Sequence, residues 1–168
     1  MFGGRADGRL RAEDVGLEYV DLNSAPYYAD CAPLVEGMGY SLVELRVCPQ
    51  GATKKISAVI APKDPAAGIG VDDCAKVHHA LLPRLEALLG TEDTFMELTS
   101  PGMERVIKNA AEFALFAGRA VRVWDKDAGG WVCGTIASSD RNAVVLEQDG
   151  TQVSVPYERM AKAKFIHL

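Results

Sequence analysis

The chain has 168 residues, of which 48% are apolar and 24% charged, with a net charge of −5 at pH 7. This composition is typical of a globular protein, and the length allows one domain or two small ones. The acidic balance excludes a protein that coats nucleic acid by charge alone, because such binding needs many cation–phosphate contacts. No apolar run reaches the ~20 residues of a membrane helix, and the N-terminus lacks a secretory apolar segment, so we expect a cytoplasmic protein.

Charged residues are distributed unevenly along the chain. Residues 1–108 hold 11 Lys and Arg against 16 Asp and Glu, whereas residues 109–168 hold 7 against 7, so RNA contact is favoured in the C-terminal part or in local patches.

The cysteines form no CxxC pair and lie in apolar segments, at Cys31, Cys48, Cys74 and Cys133. We therefore predict packed thiols rather than a zinc site.

The N-terminal part alternates helical and strand patterns. Residues 1–22 have weak periodicity and predict a flexible leader. Asn23 and Ser24 offer an N-cap, and Pro33 is expected to bend or divide the helix that follows. The predicted elements are a helix at 23–38, a hairpin of strands at 41–48 and 55–61, a helix at 71–89 and a strand at 94–99.

The helix at 71–89 has one apolar stripe, formed by residues spaced three and four apart at Cys74, Val77, Leu81, Leu85 and Leu88. Pro83 predicts a kink, because an interior proline removes a backbone hydrogen bond. Asp72 and Asp73 occupy the first turn. They can be interpreted as metal ligands or as carboxylates that stabilise the helix N-terminus, and the second interpretation is favoured.

The C-terminal part changes to short strands after a helix at 110–117. Five strands are predicted, at 119–124, 131–137, 143–148, 151–155 and 162–166. Asp149-Gly150 between two of them is a two-residue hairpin signal. We therefore predict an α+β protein: a flexible leader at 1–22, an N-terminal α/β domain of helices on a three-stranded sheet at 23–108, a linking helix at 109–118, and a small SH3-like or Sm-like all-β barrel at 119–168.

One predicted strand places cations and an aromatic ring on the same side. Period-two alternation groups Ala120 with Arg122, Trp124 and Lys126. Such a strip can stack a base and neutralise phosphates, but it can also be an ordinary solvated strand face. Trp131 on the next strand either extends this strip or caps the end of the barrel.

The sequence contains no recognised catalytic motif: there is no GxxxxGK[ST] loop, no GxGxxG and no GxSxG. His78 and His79 are adjacent on a helix and point in different directions, which disfavours a shared metal. Ser100 is interpreted as a turn residue before Pro101. We therefore predict no catalytic residue, no cofactor and no metal.

Five segments, in order along the chain, resemble the bacterial ribosome maturation factor RimP family. They are Met38–Glu44, Val71–Val77, Glu97–Arg105, Phe113–Val121 and Gly134–Ile136. The third, Glu97-Leu98-Thr99-Ser100-Pro101-Gly102-Met103-Glu104-Arg105, resembles the family signature. Val106, Gly70 and Pro83 depart from the family pattern.

The resemblance implies a cytoplasmic, non-enzymatic factor for assembly of the small ribosomal subunit. It would bind the immature particle through rRNA and a ribosomal protein, with no cofactor, membrane or small-molecule substrate, and we expect a monomer. Ser100, Pro101, Gly102 and Arg105 would form either a junction between domains or a contact site. Two alternatives stay open: an Sm-like RNA-binding regulator, and an enzyme built on Ser100, His78 or Asp72.

Overall fold

The computed structural model describes residues 16–64, 67–101 and 105–166. The chain divides into two compact units. The N-terminal unit comprises Asp21–Gly102, and the C-terminal unit combines Met103–Leu168 with Met1–Val20. Together they confirm an α+β chain in two parts, while the SH3-like or Sm-like character of the second part and the exact domain limits stay predictions.

The N-terminal unit is a three-stranded sheet with two helices. A 3-10 turn at Leu22–Ser24 precedes helix α1 (Tyr28–Gly37), strands β1 (Tyr40–Gln50) and β2 (Thr53–Pro62), helix α2 (Val71–Leu89) and strand β3 (Thr94–Thr99). The sheet order is β1-β2-β3, with β1 antiparallel and β3 parallel to β2. The predicted hairpin is confirmed.

Helix α1 begins later than predicted, and Asn23 and Ser24 do not cap it. Asp21 instead accepts a hydrogen bond from the Asn23 N–H at 3.0 Å, which closes the short 3-10 turn. Ala25 is extended because the residue before a proline, here Pro26, is disfavoured in the helical region. The helix then runs through Pro33 without interruption, so of the two effects expected of Pro33, a bend or a division, the division does not occur.

The core of this unit lies between the helices and one face of the sheet. Val77, Leu81 and Leu85 of α2 are fully buried, and Ile56 and Ile60 of β2 meet them in the same apolar cluster. This burial outweighs the ~3 kcal/mol cost of an interior proline, because each buried Leu or Val contributes about 1.5–3 kcal/mol. Helix α2 accordingly continues through Pro83.

The predicted packing of the thiols is only partly correct. Cys31 is buried and Cys74 half-buried, whereas Cys48 and Cys133 are exposed. Leu88 also departs from the predicted apolar stripe, with 38% of its surface exposed. Cys48 and Cys133 lie on strand faces that the core does not cover, and strand alternation alone does not say which face is covered.

The C-terminal unit is a five-stranded antiparallel sheet. Its strands are β4 (Ala120–Asp125), β5 (Gly130–Ser139), β6 (Ala143–Gln148), β7 (Thr151–Pro156) and β8 (Met160–Phe165), with a 3-10 turn at Tyr157–Arg159 before β8. The spatial order is β7-β6-β5-β4-β8. All five strands lie where the sequence predicts them, to within a few residues.

The segment predicted as a linking helix is a 3-10 helix at Ala110–Phe116 that packs inside this unit. Phe113 and Phe116 are buried, and the Phe116 ring meets that of Phe165 edge-on with centroids 4.8 Å apart. Two apolar anchors in seven residues hold the segment against the sheet. The segment therefore lies at the predicted residues and packs in the core of this unit.

The described end of the predicted leader is hydrogen-bonded. Leu17 donates its N–H to the Tyr157 carbonyl at 3.1 Å, and Ala110 donates to the Glu18 carbonyl at 2.9 Å. The Asn109 side chain exchanges hydrogen bonds with the backbone of Val20. Residues 17–20 are thus hydrogen-bonded to the C-terminal unit, and the part of the predicted leader before Gly16 lies outside the described residues.

Within the parts of the chain that the structure describes, no helix has the length and apolarity needed to cross a membrane.

Candidate functional site

The outer face of the C-terminal sheet carries the predicted strip of cations and aromatic rings. On β4, Val121 and Val123 point inward and are fully buried, which leaves Arg122 and Trp124 on the outer face. The strand register sets Arg122 opposite Cys133 and Trp124 opposite Trp131 on β5. The alternation predicted for β4 and β5 is therefore present, and it brings two tryptophans together.

The rings and cations of this face are in direct contact. The Trp124 and Trp131 rings meet edge-on with centroids 5.4 Å apart. The Arg122 guanidinium carbon lies 4.5 Å from the Trp131 ring centroid, and the Lys162 Nζ lies 5.4 Å from the same centroid. Both distances are within the ~6 Å range of cation–π attraction. Of the two interpretations of Trp131, the contacts favour extension of the strip.

Strand β8 contributes two lysines that the sequence interpretation missed. Lys162 lies opposite Trp124 and Lys164 opposite Arg122, and they alternate with the buried residues Ala163 and Phe165. Their period-two spacing is visible in the sequence, but the pairing of β8 with β4 across some 40 residues is not. We call the set Arg122, Trp124, Trp131, Lys162 and Lys164 the basic–aromatic face.

Lys126, the third residue predicted for this strip, lies beyond the end of β4. Its backbone N–H donates to the Arg159 carbonyl at 2.7 Å, in a turn where the register between β4 and β8 shifts. The structure therefore groups Arg122 with Trp124 on β4, while Lys126 follows the end of that strand.

The turn after β4 is organised by a buried carboxylate. Asp125 accepts hydrogen bonds from the N–H groups of Asp127 at 2.9 Å and Ala128 at 3.2 Å, and its other oxygen lies 2.7 Å from Nη2 of Arg159. Burial acts to raise the pKa of Asp125, but the Ala128 N–H, the Arg159 guanidinium and the Asp127 N–H together lower it below its ordinary value. An ionised Asp125 therefore fixes the end of the strand that presents Trp124.

The signature segment lies at the end of the N-terminal unit. Ser100 is exposed and Pro101 half-buried, directly after β3, while Gly102 lies outside the described residues. The predicted exit from the third strand at Ser100 is confirmed.

Arg105, the last residue predicted at the junction, is held within the C-terminal unit. Its Nε and Nη2 both donate to Oε1 of Glu112, at 3.0 and 2.8 Å, and the two side chains are only 9% and 3% exposed. The other Glu112 oxygen accepts from the Asn109 N–H at 3.2 Å. Glu112 thus links Arg105 to the start of the 3-10 helix, which is a structural arrangement.

Comparison with known protein families gives the N-terminal unit an identity. Residues 30–104 match the family model described as the RimP N-terminal domain. Over these residues the chain is similar to the RimP family. The match confirms the resemblance of the first three segments as far as Glu104, and it runs from Asp30 in α1 through β3. The segments Phe113–Val121 and Gly134–Ile136 lie outside the matched residues. RimP proteins are ribosome maturation factors that do not catalyse a reaction.

Two residues considered for a metal site or an enzymatic role, Asp73 and His78, have structural partners. Asp73 accepts hydrogen bonds from the Gly70 N–H at 2.8 Å and from the Tyr40 hydroxyl. The Tyr40 hydroxyl and then the Gly70 N–H lower the pKa of Asp73. His78 Nε2 lies 3.2 Å from the Met96 carbonyl. Among residues 16–64, 67–101 and 105–166, no three His, Cys, Asp or Glu side chains are grouped as a metal site.

Proposed function

We propose that this chain assists the maturation of the small ribosomal subunit in the cytoplasm. It binds the immature particle as a monomer, through rRNA and a ribosomal protein, and leaves without catalysing a covalent reaction. The observation that carries the proposal is the match of residues 30–104 to the RimP N-terminal domain, since RimP proteins are ribosome maturation factors. No membrane, cofactor or small-molecule substrate takes part.

The charge of the N-terminal unit supports a basic protein partner. Residues 21–102 hold six Lys and Arg against eleven Asp and Glu, so this unit carries the whole net charge of −5. Ribosomal proteins that bind rRNA are rich in Lys and Arg, and complementary charge steers such partners together. We assign the ribosomal-protein contact to this unit.

The predicted site residues have different roles in this proposal. Ser100, Pro101 and Gly102 end the family-matched segment and are offered as contact or junction residues. Arg105 is assigned to structure, because its guanidinium is buried against Glu112. Arg122 and Trp124 belong to the RNA contact, and Lys126 is kept as a flanking cation.

The test is sedimentation of ribosomal particles. Purified chain should co-sediment with free small subunits more than with assembled ribosomes, and added salt should weaken the association because it screens the charge contacts. Cells depleted of the chain should accumulate free small subunits with immature rRNA. Equal co-sedimentation with every ribosomal fraction would contradict the proposal.

A second candidate function is an Sm-like RNA-binding regulator that does not act on ribosomes. The observation that favours it is the basic–aromatic face, which needs no ribosome to explain it. Binding of short RNA by the full chain without any association with small subunits would select this function. Its partner would then be recovered by crosslinking to cellular RNA rather than in subunit fractions.

A further inference from the structure

We propose that the basic–aromatic face binds a short single-stranded RNA segment. Arg122, Lys162 and Lys164 neutralise its phosphates, and the Trp124–Trp131 pair with its overlying cations packs against an unpaired base. This inference deepens the proposed function, since it rests on RNA being a partner and names the kind of RNA and the surface that takes it.

The cations of the face are held in place before any ligand arrives. The Trp131 ring lies within 4.5 Å of the Arg122 guanidinium carbon and 5.4 Å of the Lys162 Nζ. Arg and Lys lose considerable rotamer freedom when a ligand fixes them. Side chains that an aromatic ring already restrains lose less rotamer freedom on binding, and this smaller entropy loss raises the affinity.

The basic–aromatic face concentrates positive charge in a unit whose net charge is zero. Residues 1–20 and 103–168 together hold 12 Lys and Arg against 12 Asp and Glu. In the strand register, Arg122 has Cys133 and Lys164 as neighbours, and Trp124 has Trp131 and Lys162. Cations therefore adjoin rings and other cations on this surface, whereas Arg105 and Arg159 are paired with Glu112 and Asp125 elsewhere.

The size of the face favours a single strand over a duplex. Three adjacent strands, β8, β4 and β5, span about 10 Å, because neighbouring strands lie about 4.8 Å apart. Domains that read double-stranded RNA instead span about 16 base pairs across two grooves. Three cations also supply few phosphate contacts, which suits a segment of a few nucleotides.

The aromatic component favours RNA over an acidic protein. Unpaired bases stack on indole rings and on guanidinium planes, whereas a run of carboxylates gains nothing from a tryptophan pair. Because Arg122 and Lys162 already lie over Trp131, the base packs against the cation–indole group rather than on a bare ring. Unpaired bases are abundant in an rRNA that has not finished folding.

The first experiment measures binding of the full chain to fluorescein-labelled RNA octamers, oligoadenylate and oligouridylate, by anisotropy over a range of KCl. Three phosphate contacts predict a slope of log K against log salt of about −2 for a single strand. The double variant K162Q/K164Q should lower the slope's magnitude by about 1.4. The control K76Q, an exposed lysine on α2, should leave affinity and slope unchanged.

The second experiment tests the rings. Trp131→Ala should weaken octamer binding by about 5-fold to about 150-fold, the range measured for removal of one base–aromatic stack. Trp131→Phe should restore most of the affinity, because it keeps a ring for Arg122 and for the base. Thermal unfolding of each variant checks that the sheet is intact, and Trp131 is 37% exposed, so its loss leaves no sealed cavity.

The competing outcomes are distinct. Equal affinity for a 16-base-pair RNA duplex or a hexaglutamate peptide, or unchanged binding by K162Q/K164Q, would overturn the inference. If the chain binds small subunits but no octamer, the proposed function is supported and the inference about the basic–aromatic face is wrong. If it binds octamers through this face but no small subunit, the inference is supported and the proposed function is wrong.

Discussion

The two units of this chain use charged side chains in opposite ways. In the N-terminal unit two ion pairs are long and only partly buried, with Lys55 and Glu97 at 3.8 Å and Arg46 and Glu44 at 4.0 Å. In the C-terminal unit Arg105 and Glu112 pair at 2.8 Å with both side chains buried, and Arg159 reaches Asp125 at 2.7 Å. Exposed pairs contribute about 0–1 kcal/mol, whereas breaking a buried pair costs about 3–5 kcal/mol.

The difference follows from how each unit is held together. Two helices cover one sheet face in the N-terminal unit and bury residues such as Leu81 and Leu85 completely, so its surface charges are available for a partner. In its described residues the C-terminal unit is a sheet with short 3-10 segments and no α-helix. Buried carboxylates paired with Arg105 and Arg159 stabilise the start of its 3-10 helix and the turn after β4. Substitution of charged residues should therefore alter partner binding in the N-terminal unit and the free energy of unfolding in the C-terminal unit. On the basic–aromatic face, such substitutions should instead alter RNA binding.

The sharpest test of this comparison is the removal of Arg105. Arg105→Ala leaves the buried Glu112 carboxylate without its guanidinium, and we expect the free energy of unfolding of the C-terminal unit to fall by about 3–5 kcal/mol. Urea denaturation followed by tryptophan fluorescence measures it, because both tryptophans lie in this unit. Far-UV circular dichroism in the same denaturation follows the helices of the N-terminal unit. The matched control Arg46→Ala, on the N-terminal unit, should change stability by less than about 0.5 kcal/mol.

The same variant decides between the two roles considered for Arg105. Lost stability with retained binding to small subunits supports the structural role that its pairing with Glu112 indicates. Unchanged stability with lost binding would make Arg105 a contact residue. The Arg105–Glu112 pair would then no longer be an example of a stabilising buried ion pair in the C-terminal unit.

Substitution of one glycine in each unit, Gly134 and Gly37, tests their packing and should change the free energy of unfolding less than Arg105→Ala does. A Cβ on Gly134 would lie 2.9 Å from the Glu147 carbonyl oxygen, a backbone atom of the neighbouring strand that cannot move cheaply. Gly134→Ala should therefore destabilise the C-terminal unit by about 1–3 kcal/mol. Gly37, at the end of α1, has open space around its Cβ position. Gly37→Ala should be neutral or stabilise by up to about 1 kcal/mol in the same denaturation measurement.

The sequence predicted well whatever depends on local pattern and poorly whatever depends on distant partners. Alternation predicted the positions of the strands, and the period of two predicted that Arg122 and Trp124 share one face. The contribution of Lys162 depends on the pairing of β8 with β4, and the role of Arg105 depends on a partner brought near by the 3-10 helix. Neither can be read from spacing, because strand order and side-chain pairing are set by the folded unit.

The smallest predicted effect concerns the pH dependence of Asp125. Its pKa is lowered in the folded chain, so its stabilising effect is complete above the unfolded pKa of about 3.9 and is lost as the pH falls through the folded value. Asp125→Asn keeps one acceptor oxygen for the turn but loses the charge opposite Arg159, and we expect a loss of about 1 kcal/mol at pH 7. Urea denaturation of the variant and the parent chain at pH 7 and pH 3 measures the difference, which should shrink at the lower pH. An equal difference at both pH values would mean that Asp125 acts through hydrogen-bond geometry alone, and the contrast between the units would then rest on Arg105.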